Sequence, residues 1–133
     1  MKNIYIEHIG IFTRDLERLR SFYETYFGAV SGDIYRNKKN GFSSYFLKFS
    51  TGARLELMQM DSIPDSKDDP IIEFIGLVHF AISVGSIDAV NEMAAKLKVA
   101  GYSVVREPRK TGDGYYECVI LDPDGNRVEL CTS

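Results

Sequence analysis

Four residues carry the chemistry this chain suggests: His8, Glu56, His79 and Glu129. His8 and His79 are its two histidines, set in the apolar strings Tyr5-Ile6-Glu7-His8-Ile9-Gly10-Ile11 and Gly76-Leu77-Val78-His79-Phe80-Ala81-Ile82. Each is followed by a helix-like stretch ending at a glycine, Gly28 or Gly101, and then by a strand with a glutamate in an apolar frame. Those strands read Ala53-Arg54-Leu55-Glu56-Leu57-Met58 and Asn126-Arg127-Val128-Glu129-Leu130-Cys131. From Gly28 to Glu56 and from Gly101 to Glu129 the interval is 28 residues. Imidazole and carboxylate are donors for a divalent cation. A lone histidine on a half-buried strand is ordinarily a hydrogen-bonded structural residue, and a lone glutamate between leucines a solvated one. Two of each at matching places in a repeat point instead to a metal site, because an unpartnered ionised carboxylate on an inner strand face costs on the order of several kcal/mol.

The elements that must position these residues follow one order, strand, helix, three strands, given twice. Residues 4–12 read as a strand. Thr13 is the expected N-cap of a helix whose Leu16, Leu19, Phe22, Tyr23 and Tyr26 recur at helical spacing until Gly28. Strands are expected at 31–37, 42–49 and 53–60, then a linker over 61–73 with Pro64, Pro70 and five acidic residues, Asp61, Asp65, Asp68, Asp69 and Glu73. The second half gives a strand at 76–84, Ser86 as N-cap, a helix to Gly101, and strands near 102–107, 115–121 and 126–131. Asp122-Pro123-Asp124-Gly125 supplies the turn of the last hairpin. The chain thus reads as a single domain over 1–133, made of two modules at about 1–60 and 74–133. Strand alternation puts apolar neighbours on the face opposite each candidate ligand, where the helices can cover them, leaving the ligand face to curve around a cavity. Met58, Met60 and Phe12 fall on that ligand face as expected cavity wall. Arg109 and Lys110 read first as a solvated turn and second as an anion contact.

A length of 133 residues with 44% hydrophobic content fits a domain with its own core. The net charge of −3, without a concentrated basic patch, argues against nucleic acid as a partner. The start at Met1-Lys2-Asn3-Ile4-Tyr5 enters a strand pattern at once, and no apolar run reaches membrane length, so a soluble cytoplasmic protein without membrane attachment is expected. Cys118 and Cys131, both in strand-like segments, are expected to be reduced, packed thiols.

The order, the spacing and the strings at 5–26, 53–58, 76–84 and Leu121-Asp122-Pro123-Asp124-Gly125-Asn126-Arg127-Val128-Glu129-Leu130 resemble the vicinal oxygen chelate superfamily and, within it, the short bacterial glyoxalase I proteins. The resemblance covers essentially the whole chain. It implies an α+β fold of two tandem βαβββ modules forming half-barrels that pair, and a divalent metal ion held by His8, Glu56, His79 and Glu129. It also implies a homodimer, with sites expected to be shared between chains. Octahedral coordination with two open positions would suit Ni²⁺ or Co²⁺, with Zn²⁺ as the other candidate. By the same resemblance Glu129 is the catalytic base and Glu56 a ligand that can also shuttle the proton. Relatives divide by ligand set. Extradiol dioxygenases and fosfomycin-type thiol transferases lack a carboxylate at the place of Glu56, methylmalonyl-CoA epimerases usually carry glutamine there, and bleomycin-binding relatives lack the metal set. Glu56 therefore favours glyoxalase I-like lyase chemistry on a hemithioacetal or a related vicinal-dioxygen substrate.

One departure concerns the substrate. Glutathione-using members usually place an arginine four residues after the first histidine and an asparagine four residues after the first glutamate. Here those places hold Phe12 and Met60. Arg109, Lys110 and the loop Thr111-Gly112-Asp113-Gly114 could receive an anionic group from the other side. The alternative to an enzyme is a metal-free or structurally metallated protein of the same fold that binds a small apolar molecule or drug.

Overall fold

Helix α1 (Leu16–Phe27) begins where the Asp15 carboxylate accepts the Arg18 N–H at 3.0 Å, and ends at Gly28, whose φ of 65° lets its N–H return to the Glu24 carbonyl. The cap is thus Asp15 and not Thr13. The Thr13 hydroxyl accepts the Asp15 N–H at 3.1 Å, turning the chain just before the helix. Helix α2 (Ile87–Val99) is capped as expected by Ser86, which accepts from Ala89 N–H. The computed structural model describes residues 2–132, and the chain divides into two compact units, 1–66 and 67–133.

In the first unit β1 (His8–Phe12), β5 (Arg54–Gln59), β4 (Phe42–Lys48) and β2 (Val30–Ser31) form a sheet in that order, with β3 (Tyr35–Asn37) also on β4. β1 runs parallel to β5, and β4 antiparallel to it. The expected strand 31–37 is broken into β2 and β3. Leu16, Leu19, Phe22 and Tyr23 of α1 are buried, as are Tyr45, Leu47, Leu55 and Leu57 on one face of the sheet, and α1 packs on β4 and β5. In the second unit the order is β6 (Phe80–Ser83), β9 (Arg127–Thr132), β8 (Tyr116–Leu121) and β7 (Val104–Lys110). There Val90, Ala94 and Leu97 of α2 are buried with Cys118, Ile120, Val128 and Leu130. The duplicated βαβββ plan is therefore present, with both sheets mixed and each helix on one face.

Two strands are shorter than the alternating pattern suggests. β1 begins at His8 because its neighbour β5 begins at Arg54, directly opposite. The Arg54 N–H donates to the Glu7 carbonyl at 2.9 Å, and Ile4, Tyr5 and Ile6 before it are exposed. β6 likewise begins at Phe80, and Leu77 is exposed. Arg14 holds the start of the connecting segment, donating to the Asp65 carboxylate at 3.0 Å and to the Ile63 carbonyl, and Arg127 holds its end. The buried Arg127 guanidinium donates to the Asp68 carboxylate at 3.2 Å, to the Val78 carbonyl at 3.3 Å, and to the carbonyls of Asp69 and Ile72. The last hairpin turns as expected: Asp122 accepts from the N–H groups of Asp124 and Asn126, and Gly125 takes a φ of 82°. Among the described residues no helix is long and apolar enough to cross a membrane.

Candidate metal and proton-transfer site

Register puts the four candidate ligands at matching places. Glu56 lies opposite Gly10 and Glu129 opposite Ala81, and these partners stand two residues after His8 and His79 respectively. Side chains two apart on a strand share a face, so each histidine reaches the glutamate of the neighbouring strand. His8 Nε2 is 3.5 Å from Glu56 Oε1, and His79 Nε2 is 3.2 Å from Glu129 Oε2. The histidines are about two-fifths exposed, at 40% and 41%, while the carboxylates are mostly covered, at 19% and 15%. Two donors bound to one cation at about 2.0–2.2 Å sit roughly 3–3.5 Å from each other. Both pairs fit that spacing, and the donor set suits Zn²⁺, Ni²⁺ or Co²⁺. Each unit brings together one candidate pair, and among the described residues no group of three or more His, Cys, Asp or Glu able to hold a metal is found.

Around the first pair the face is aromatic and apolar. Phe46, opposite Glu56, meets the His8 ring edge-on at 5.3 Å, and the Arg54 guanidinium lies over Phe46 at 4.1 Å. Met58 lies over Gly10; a Cβ there would come within 2.9 Å of the Met58 methyl. Phe12, 41% exposed, packs edge-on against Phe42, which in turn touches Tyr35. Glu7, whose importance the sequence did not signal, accepts from both His8 Nδ1 at 3.2 Å and Arg54 Nε at 3.0 Å. The Arg54 hydrogen bond holds the Glu7 carboxyl below its ordinary range.

Around the second pair the face is charged. Glu117 lies opposite Cys131, two residues on from Glu129, and hydrogen-bonds to Glu129; Arg106 lies opposite Val119, beside Glu129. Burial, then the Glu117 hydrogen bond and its like charge, push the Glu129 carboxyl up to about 7, with Arg106 opposing. That value places a proton acceptor near neutral pH, where a general base works best. Arg109 lies opposite Glu117, on the Glu129 face, whereas Lys110 lies opposite Tyr116 and lines a separate cleft with Ser86, Ile87 and Gly114. Met60 follows β5 at an intermediate exposure, and its carbonyl accepts the Ile63 N–H. Cys118 and Cys131 are free, buried thiols, with burial pushing Cys118 up to about 11. Glu117 and Glu7 escaped the sequence reading; Glu117 becomes legible only through its register with Cys131, and Glu7 through the ring nitrogen it faces.

The fold and this site define a class. The family model described as Glyoxalase/Bleomycin resistance protein/Dioxygenase superfamily matches residues 5–130, and the chain belongs to that family. A mitochondrial methylmalonyl-CoA epimerase from Bos taurus is 28% identical over 134 aligned positions, covering 94% of this chain and 72% of the relative. Among solved structures, a glyoxalase family protein from Enterococcus faecalis is 25% identical with a TM-score of 0.77, covering 99% of this chain and all of that one. The trypanothione-dependent glyoxalase I of Leishmania major matches in fold, with a TM-score of 0.76 at 23% identity, covering 96% of this chain and 86% of its own.

Proposed function

We propose that this protein is a cation-dependent proton-transfer enzyme of glyoxalase I type, converting the hemithioacetal of a 2-oxoaldehyde and a thiol into a 2-hydroxyacyl thioester. The observation that carries the reading is the pair of equivalent His–Glu contacts, in one of which burial and Glu117 push the carboxyl up to about 7. His8, Glu56, His79 and Glu129 would hold the ion, Ni²⁺, Co²⁺ or Zn²⁺. When bound, a divalent cation offsets the negative charge that develops on two vicinal oxygens of the substrate. Glu129 takes the proton from the carbon bearing sulfur and returns it to the adjacent carbon, while the hydroxyl proton passes from the oxygen of the first carbon to that of the second, so the reaction is an isomerisation in which no atom is gained or lost. Glu56 is the second carboxylate able to shuttle that proton. Since each unit brings two donors, a complete set needs both kinds of unit, and we propose a C₂ dimer in which His8 and Glu56 of one protomer join His79 and Glu129 of its partner. Mixing His8→Ala with Glu129→Ala chains should then restore one intact site per heterodimer. Failure to complement after demonstrated subunit exchange would place the site within one chain.

Phe12 and Met60 cannot make the charge-assisted bonds that hold the ends of glutathione, each worth about 1.5–3 kcal/mol. Losing two weakens a glutathione adduct roughly a hundredfold or more. A thiol or substrate tail that is apolar or aromatic fits Phe12, Phe42 and Met58 better. The test is kcat/KM for one 2-oxoaldehyde presented with several thiols to the Ni²⁺- and Zn²⁺-loaded protein. A glutathione value of about 10⁴–10⁸ M⁻¹s⁻¹ would overturn the assigned specificity.

The 28% identity to an epimerase favours one second reading, removal and return of the proton beside a thioester carbonyl at the same carbon. Solvent deuterium entering a 2-methyl-branched acyl thioester, with no product from hemithioacetals, would select it. Protein purified without chelator that carries no metal, yet binds small apolar molecules, would select a binding function over both.

A further inference from the structure

We propose that Glu7 is a positioning residue for His8: it holds Nδ1–H, and so presents the Nε2 lone pair to the cation that His8 and Glu56 would share. This inference rests on the cation reading above. A neutral imidazole carries one N–H, and the group that accepts it decides which nitrogen is free to ligate. Glu7 Oε1 lies 3.2 Å from His8 Nδ1, while His8 Nε2 lies 3.5 Å from Glu56 Oε1. A carboxylate has only acceptors, so the Glu7 contact is a hydrogen bond when Nδ1 carries the proton. The lone pair of Nε2 then faces the lone pairs of Glu56, and a cation between them turns that opposition into two bonds.

Glu7 is itself fixed at three points. Arg54 Nε donates to Oε1 and to Oε2, each at 3.0 Å, and Arg54 Nη2 donates to Oε1. The Glu7 carbonyl accepts Arg54 N–H at 2.9 Å, tying its backbone to the strand that carries Glu56. Phe46 meets the His8 ring at 5.3 Å and lies beneath the Arg54 guanidinium at 4.1 Å, so one ring supports both ends of the series Arg54, Glu7, His8. In the second module the residue before His79 is Val78, which has no acceptor on its side chain. Partners of this kind change metal affinity by about 10–100-fold.

The experiment uses the full chain. Two-dimensional ¹⁵N–¹H spectra of the metal-free protein, at a pH where the imidazoles are neutral, report the tautomer of each histidine, His8 being assigned with a His8→Ala variant. We expect His8 as the Nδ1–H form, shifting toward the Nε2–H form in Glu7→Ala and retained in Glu7→Gln, whose amide oxygen still accepts. Calorimetric titration with Ni²⁺ should show affinity about 10–100-fold weaker in Glu7→Ala, and a smaller loss in Glu7→Gln. An Nε2–H tautomer in the wild type, or unchanged Ni²⁺ affinity in Glu7→Ala where His8→Ala weakens it, overturns the proposal. If His8→Ala leaves Ni²⁺ binding unchanged, the cation reading fails instead, and the tautomer still reports whether Glu7 holds Nδ1. Glu7→Gln, nearly isosteric, keeps both readouts available if the alanine variant unfolds.

Discussion

The two modules share a plan but not an open face. Around His8 and Glu56 the ligand side of the sheet carries Phe12, Phe46 and Met58, whereas around His79 and Glu129 it carries Glu117, Arg106 and Arg109. The register makes the exchange explicit. Phe46 opposite Glu56 corresponds to Val119 opposite Glu129, and Ser44 opposite Met58 to Glu117 opposite Cys131. Across the next ladder Tyr35, opposite Ser44, corresponds to Arg109, opposite Glu117. Both modules hold a His–Glu pair, and the residues around the two pairs differ. One module is suited to hold apolar or aromatic matter; the other tunes a carboxylate.

The sharpest break in this comparison is to remove each glutamate in turn. Glu129→Gln should lower kcat by about 10²–10⁴ at saturating Ni²⁺, because general-base catalysis contributes on that order. Glu56→Gln should weaken Ni²⁺ binding and reduce kcat less, by about 10–100-fold. Equal losses in kcat would mean that the two carboxylates share the proton work, and the proposed division between modules would fall.

The arginines two residues before each glutamate give the next largest effect. Arg127 is buried and holds the 68–78 segment through one carboxylate and three carbonyls. Arg127→Ala should therefore destabilise by roughly 3–5 kcal/mol, as expected when a buried hydrogen-bonded charge network loses its centre. Arg54, about one-third exposed and paired with Glu7, should cost much less on the same change, because solvent screens a surface ion pair. Urea unfolding of the two variants measures the difference, and similar losses would contradict the separate roles assigned to equivalent residues.

Proton retention by Glu129 gives a pH test of the charged face. Its folded value of about 7 lies above the ordinary 4.5, so the metal-free folded state binds a proton that the unfolded chain releases. The stability this contributes is complete below about 4.5 and is lost as pH rises through about 7. Melting temperature of the chelated wild type should fall across that window, and Glu129→Gln should flatten the fall. An equally steep fall in the variant would assign the dependence to other groups.

How much of this was legible in the sequence depends on what the signal measures. The His–Glu correspondences and the βαβββ order follow from composition repeated at fixed spacing, and the Ser86 cap and the Asp122–Gly125 turn from local chemistry that needs no partner strand. The ends of β1 and β6 were not legible, because an apolar alternation at residues 4–7 says nothing of where β5 begins. Thr13 and Asp15 can each accept a backbone N–H, so the sequence points equally to either, and only the geometry shows that Asp15 faces Arg18. Glu117 and Glu7 matter through their neighbours across the sheet, a relation that linear spacing does not encode.

The aromatic face is tested more gently. Phe12→Ala removes a ring that contacts Phe42, and should raise KM about tenfold for substrates with an aromatic tail while leaving kcat near its original value. A fall in kcat with KM unchanged would place Phe12 in the chemistry rather than in binding.

The smallest effect should come from Gly10, which lies opposite Glu56 as Ala81 lies opposite Glu129. A methyl group added at Gly10 meets the Met58 Cε at 2.9 Å, too close to leave undisturbed, but that atom is the free end of a flexible chain. Gly10 is not among the residues with positive φ, so alanine suits its backbone and also removes freedom from the unfolded state. The two effects oppose one another, and Gly10→Ala should change stability by less than about 1 kcal/mol. The displaced Met58 methyl should then move over the Phe12 side of the face, altering KM for an aromatic tail by a few-fold while Ni²⁺ affinity stays unchanged. Loss of Ni²⁺ binding instead would mean that Gly10 is kept small to let His8 and Glu56 approach each other, and that the first module tolerates less divergence around its pair than the second.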